Sequence, residues 1–142
     1  MKILFLCTGN SCRSQMAEYL ARDASSGACS QLQVESAGVD PSKVDERAIE
    51  VMEELGIDMS RASSKSIEGD RLGDFDLVIT LCGDARDNCP VVGDETRVEY
   101  WPLPDPAKAE GSRQEQLEFF RTVRDDLHRR VHELIEDTKN SW

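Results

Sequence analysis

Hydrophobic and polar positions follow two rhythms along this chain, and their alternation predicts strands and helices in turn. Residues 2–6 hold Ile3-Leu4-Phe5-Leu6, the continuous apolar run of a strand buried on both faces. From about Ser14 to Ala24 the spacing changes to Met16, Ala17, Leu20 and Ala21, one face of a helix, and Ser25-Ser26-Gly27 punctuates its end. Leu32-Gln33-Val34-Glu35-Ser36 alternates as a half-buried strand does, and Ala37-Gly38 and Pro41 mark a loop. Asp45 is placed to cap a second helix with Ala48, Val51, Met52 and Leu55 on its buried face and Gly56 at its C′ position. Phe75 to Leu81 is the next strong strand, rich in β-formers, and Arg97 to Trp101 is a fourth. Ser112-Arg113-Gln114-Glu115 reads as a capping box. It opens a long last helix whose buried stripe is Leu117, Phe120, Leu127, Val131 and Leu134.

This β-α-β-α-β order, without repeats or linkers, predicts a single α/β domain over residues 1–142. Its sheet should be four-stranded and parallel, with right-handed crossovers and helices on both faces. Ligands of such sheets sit beyond the carboxyl ends of the strands. Cys7, Cys82 and the segment after Trp101 all fall at that end, so one edge collects the candidate chemistry.

Composition narrows the choice of partner. The net charge of -11 argues against nucleic acid and anionic membrane, which both demand a basic face. It also repels small anions at long range, so a bound oxyanion has to be held by local donors. The N-terminal apolar run is too short for a secretory core, and no stretch approaches the roughly 20 apolar residues of a membrane helix. A cytoplasmic protein is expected. Its five cysteines, Cys7, Cys12, Cys29, Cys82 and Cys89, are then mostly reduced at rest.

The chemistry concentrates in Cys7-Thr8-Gly9-Asn10-Ser11-Cys12-Arg13-Ser14, a strand-to-helix turn. The first backbone N–H groups of a helix have no intrahelical partner and, with the positive end of the dipole, form an anion site. Cys7 opens the loop, and both the helix N-terminus and Arg13 favour the thiolate, the reactive form of cysteine. Ser14 can donate a hydrogen bond to that sulfur. Gly9 lets the backbone turn close to a ligand. Arg13 offers a planar fork matched to two oxygens of a tetrahedral anion. The bland alternative is a buried cysteine at a strand end with an unrelated arginine in the next turn.

Other residues are less decided. Cys82 and Cys89, spaced i, i+7, would lie about 10.5 Å apart on a helix. A disulfide needs Cα atoms within roughly 6.8 Å. A bond between them therefore requires the segment to unwind, which Gly83 and Pro90 make easy. A zinc site and two incidental thiols are the competing readings, although C-x6-C is not a usual ligand spacing. Asp105 lies between prolines in Pro104-Asp105-Pro106, held on a rigid turn either as a general acid or as a turn cap. His128 and His132 are four apart on the last helix with arginines between them, which favours a solvated face over a metal pair. No metal ligand set is assigned, and Cys29 is read as incidental.

Cys-x5-Arg-Ser after the first strand, with the later Asp105-Pro106, resembles the low-molecular-weight protein tyrosine phosphatases. The closer resemblance is to the thioredoxin-coupled arsenate reductases built on that fold. It runs through the stretch from Leu6 to Glu18, Val34-Glu35-Ser36-Ala37-Gly38, Val78 to Asp84, Cys89-Pro90, Asp105-Pro106-Ala107, Phe119-Phe120-Arg121 and Val123-Arg124-Asp125. The resemblance implies that Thr8, Gly9, Asn10, Ser11, Cys12 and Arg13 bind arsenate, with phosphate or sulfate as competing oxyanions. It implies a catalytic set of Cys7, Arg13, Ser14, Cys82, Cys89 and Asp105. Cys7 would attack arsenic, Cys82 and Cys89 would carry the oxidation away, and thioredoxin would be the reductant, with no bound cofactor. A monomeric, cytoplasmic enzyme of arsenic detoxification with weak phosphatase side activity follows from the same likeness.

One departure stands out. Some relatives bind potassium beside the loop through Asn, Glu, Ser or Thr, and Asp side chains. Here Asn10, Glu18 and Ser63 match, but Lys65 stands where the Asp would be, so an ammonium should replace the cation. Two rival functions remain. A tyrosine phosphatase would use the same loop, although Ala107-Lys108-Ala109 follows Asp105-Pro106 in place of an aromatic wall. A thiol switch would pair Cys7 with Cys12 and bind anions without turnover.

Overall fold

The structure, a computed structural model, describes residues 2–7, 9–25, 32–38, 42–66, 74–81 and 96–140. Its strands are β1 (Lys2–Cys7), β2 (Gln33–Gly38), β3 (Leu77–Thr80) and β4 (Arg97–Tyr100). Its helices are α1 (Arg13–Ser25), α2 (Glu46–Glu53) and α3 (Arg113–Asn140), with a short 3-10 turn at Pro106–Lys108. The four strands form one sheet in the order β2-β1-β3-β4, every pair parallel, as the alternation of elements predicts.

The register sets the working edge. Cys7 stands opposite Gly38, Leu6 opposite Thr80, and Thr80 opposite Tyr100, so the strands end almost level. Pairing runs one hydrogen bond further, from Leu81 N to Leu6 O and from Trp101 N to Thr80 O, both 2.9 Å. Leu81 and Trp101 are thereby fixed at the mouth of the loop that follows β1.

Central strands β1 and β3 are buried almost throughout, which is why their sequences are apolar runs. Helix α1 packs on β1 and β2 and against α3, which also meets α2. Ile3, Phe5, Leu77 and Ile79 from the sheet share the core with Met16, Phe120, Leu127 and Val131 from the helices. Trp101 closes one side, its ring 5.8 Å from that of Phe5. Among the described residues no helix is long and apolar enough to cross a membrane.

Several boundaries move for physical reasons. Ala37 and Gly38, expected in a loop, belong to β2, because they pair with Leu6 and Cys7 while Gly38 N donates to Lys65 O at 2.8 Å. Helix α1 opens at Arg13, one residue early. Phe75 and Leu81 are buried but flank β3 without joining it. Asp45 caps α2 as expected, its side chain accepting from Arg47 N. Leu55 does not join the buried face: it is 42% exposed, because α2 ends at Glu53 and Leu55 lies in the turn that Gly56 reverses at φ 77°. The capping box forms at α3, where Ser112 Oγ accepts from Glu115 N and Glu115 Oε1 accepts from Ser112 N. All five expected stripe residues of α3 are buried, joined by Val123 and Ile135. Ser26, Gly27 and Pro41 lie outside the described residues.

Candidate active site

The last residue of β1 is Cys7, and α1 begins six residues later at Arg13, so the intervening loop must reverse direction within a short span. Two features let it do so. Gly9 sits where an added Cβ would lie 2.9 Å from Ser42 Oγ, and its carbonyl accepts from Ser42 N at 2.9 Å. Asn10 adopts φ 49°, left-handed backbone that asparagine tolerates better than most residues with a side chain. The turn thus depends on Asn10 for its unusual dihedral and on Gly9 for close approach. From outside, Asp45 N donates to Ser11 O at 2.9 Å and ties the loop to the cap of α2.

A chain of hydrogen bonds runs from Glu18 to Cys7. Ser36 donates its hydroxyl to Glu18 Oε1 over 2.5 Å. Asn10 Nδ2 donates to Ser36 Oγ at 3.0 Å and to Ser14 Oγ at 2.8 Å, which uses both of its hydrogens. Ser14 Oγ, which accepts from Asn10, lies 2.9 Å from Cys7 Sγ, and its hydroxyl donates there whenever the sulfur is a thiolate. A hydroxyl aimed at sulfur stabilises it as an anion. Glu18, 3% exposed, is paired with Arg22 at 2.7 Å on one oxygen and with Lys65 at 3.5 Å on the other. Lys65 Nζ also donates to Ser63 O at 3.3 Å. The ammonium expected from the sequence thus stands beside Glu18.

Arg13 is buried at 7% exposure. Nη1 donates to Leu103 O at 3.0 Å and to Leu81 O at 3.5 Å, and Nη2 stands 3.7 Å from Asp105 Oδ2. Nε has no hydrogen-bond partner among the described residues. A buried cationic N–H without an acceptor is costly in a finished fold. With Nη2 it forms two parallel donors, the fork that a tetrahedral oxyanion takes.

Asp105 takes the turn-cap role that the sequence allowed, and its carboxylate also reaches the loop. It caps the 3-10 turn, accepting from Ala107 N at 3.0 Å, and the same carboxylate reaches the loop, with Oδ2 near Arg13 and Oδ1 3.8 Å from Cys12 Sγ. Burial, with the negative charges of Asp105 and Cys7, pushes the Cys12 thiol up to about 12, so at neutral pH it is an S–H group facing a carboxylate. Cys7 and Cys12 are both free thiols.

Of the expected catalytic set, Cys7, Arg13, Ser14 and Asp105 come together at one edge. Gly9, Asn10, Ser11 and Cys12 line the loop beside them. Thr8, Cys29, Cys82 and Cys89 lie outside the described residues. His128 and His132 stack with ring centroids 5.3 Å apart on the exposed side of α3. Among the described residues, no group of three or more His, Cys, Asp or Glu side chains is placed to hold a metal ion. Sequence reasoning gave no role to Ser36 or to the carbonyls of Leu81 and Leu103. Ser36 is 26 residues from Asn10, and a backbone carbonyl carries no signal in residue type.

A loop that brings a thiol, a buried arginine and a carboxylate together at the end of the first strand of a parallel sheet marks a class of enzyme. The family model for low molecular weight phosphotyrosine protein phosphatase matches residues 2–141, and the chain belongs to that family. Within it, the chain groups with the arsenate reductases. It is 44% identical over 137 residues to the arsenate reductase of Bacillus subtilis (strain 168), covering 96% of each chain. A solved arsenate reductase in the phosphate binding state superposes with a TM-score of 0.77 at 39% identity, over 96% of this chain and 97% of that one. The thioredoxin-dependent arsenate reductase of Corynebacterium glutamicum superposes at 0.78 with 27% identity, over 99% of this chain and 63% of that one.

Proposed function

We propose that this chain reduces arsenate to arsenite through a relay of Cys7, Cys82 and Cys89 that thioredoxin recycles, as a cytoplasmic route of arsenic detoxification. One observation carries the reading. The loop of Cys7 and Arg13 suits phosphate and arsenate equally, but this chain also holds Cys82 and Cys89 just after β3, and ester hydrolysis has no use for two further thiols. The thioredoxin-dependent relative in Corynebacterium glutamicum supports the choice of reductant.

In this mechanism the Cys7 thiolate attacks arsenic(V), forming an S–As bond, while Arg13 and the loop amides hold the oxyanion. Asp105 takes a proton from bound dihydrogen arsenate and passes it to the displaced hydroxyl, which leaves as water. The Cys82 thiolate then attacks Cys7 Sγ. An S–S bond forms, the S–As bond breaks with its electron pair on arsenic, and arsenite departs. Attack of Cys89 on Cys82 Sγ gives the Cys82–Cys89 disulfide and returns Cys7 as a thiolate. The two thiols of reduced thioredoxin open that disulfide by exchange and become a disulfide themselves.

Arsenate turnover with thioredoxin, thioredoxin reductase and NADPH tests the relay in the parent and in Cys12→Ser, Cys82→Ser and Cys89→Ser. Cys82→Ser should abolish turnover, Cys89→Ser should stop after one cycle, and Cys12→Ser should be tolerated. Full thioredoxin-dependent turnover by Cys89→Ser would break the relay. Phosphatase activity indifferent to both downstream cysteines, with no arsenate reduction, would establish the phosphatase reading instead.

A further inference from the structure

Gln15 is the third residue of α1 and is fully buried, yet nothing in the relay uses it. Its Nε2 has two hydrogens for three oxygens, one of them shared: Asn10 O at 3.2 Å, Asn10 Oδ1 at 2.9 Å and Ser63 O at 2.8 Å. Its Oε1 has no partner among the described residues. Three acceptors around one end of the amide decide which end is nitrogen, since an oxygen there would meet only other oxygens. The amide is thus oriented by the bonds that its N–H groups make to Asn10 and Ser63.

Those bonds converge on the residue with left-handed backbone. Asn10 O also accepts from Ser64 Oγ at 2.8 Å, and Asn10 Oδ1 from Lys65 N at 2.8 Å. Gln15 is the only one of these donors that reaches both the main-chain and the side-chain oxygen of Asn10. It is also the only one carried by α1, the helix that the loop feeds into.

We infer that Gln15 is a positioning residue of the oxyanion loop: its side-chain amide pins Asn10 at φ 49° against the 63–65 segment, and so aims the Asn10 amide at Ser14 and Ser14 at Cys7. Gln15 touches neither substrate nor sulfur and acts wholly through Asn10. Without its N–H groups, Asn10 keeps only the two donors of the 63–65 segment and relaxes toward ordinary backbone, which turns the loop amides from the anion and withdraws the hydroxyl of Ser14 from sulfur. The inference deepens the proposed reaction and takes from it the identity of the anion, but its test is independent of the relay.

Two variants of matching shape separate positioning from packing. Gln15→Met keeps the length and removes every donor. Gln15→Glu, surrounded by oxygen acceptors, keeps its proton and donates once. The readouts are the rate of Cys7 alkylation by iodoacetamide, followed by mass spectrometry, the dissociation constant of inorganic phosphate from its protection of Cys7, and thermal unfolding. Gln15→Met should bind phosphate about tenfold more weakly, the equivalent of one lost buried hydrogen bond, and alkylate more slowly. Gln15→Glu should fall between Gln15→Met and the parent. Parent-like phosphate binding and alkylation in a folded Gln15→Met, whatever its Tm, overturn the inference. Where Gln15→Met does not fold, Gln15→Glu decides in the same way, and parent-like values again overturn it. Neither readout involves Cys82, Cys89 or thioredoxin, so a parent that fails to reduce arsenate refutes the relay and leaves Gln15 to be judged separately.

Discussion

Cys7 and Cys12 lie five residues apart in one loop, and both are 2% exposed. Their partners separate them. Cys7 receives the hydroxyl of Ser14, whereas Cys12 faces the carboxylate of Asp105 and is held as a thiol by burial first and by negative neighbours second. A neutral thiol is a poor nucleophile. That argues against Cys12 as the attacking partner of Cys7 and supports tolerance of Cys12→Ser. Lys65 gives a second test at this scale. With its ammonium beside Glu18, the KM for arsenate should be the same in potassium as in a large organic cation. Lys65→Asp should introduce a potassium dependence, and a several-fold potassium effect in the parent would contradict the reading. Much of the site was legible because Cys7 to Ser14 are contiguous and their types state their chemistry. The chain behind them was not, since Asn10 meets Ser36 and Ser36 meets Glu18 only after β1, β2 and α1 have packed. Gln15 reads in sequence as one more polar helix position.

Among the elements, α2 packs Ala48, Val51 and Met52 into the core and carries an ion pair at each end. Burial alone would push the Asp45 carboxyl up, but the side chain and backbone N–H of Arg47 outweigh it and leave the cap below the usual carboxylate range. At the other end of α2, hydrogen bonds from Arg121, and then from Arg124, hold Glu54 down at about 2 and join this helix to α3. Both carboxyls are depressed on folding, so their stabilisation is complete above the unfolded carboxylate range and is lost as pH falls through the folded values. Glu54→Gln should therefore lower Tm at pH 7, by the equivalent of about 1 kcal/mol given the exposure of the pair. The gap between variant and parent should close between about pH 5 and pH 2, and a gap independent of pH would count against this assignment. Boundaries were the part of the elements that sequence could not give. Leu55 has the right spacing for a buried face, but the face ends where Gly56 turns the chain. Ala37 and Gly38 have loop propensities, and pairing with β1 overrides them.

At the scale of the whole molecule, the parallel sheet and its order of elements were readable because each strand and helix announces its own period. What the periods do not contain is the convergence at the carboxyl edge, where Arg13 Nη1 is held by the carbonyls of Leu81 and Leu103, 68 and 90 residues away. That double anchor also sets an order of assembly. The guanidinium has no fixed seat until β3 has paired with β1 and the stretch beyond β4 has docked, so the anion fork is among the last features to form. Helices can form locally and much sooner. On refolding from denaturant, far-ultraviolet circular dichroism should recover before phosphate protects Cys7, and protection should return together with the fluorescence of buried Trp101. Protection that keeps pace with helix formation would show the fork to be assembled locally. On that expectation a partly folded chain holds Cys7 without Arg13 seated beside it, and the site is complete only when the fold is.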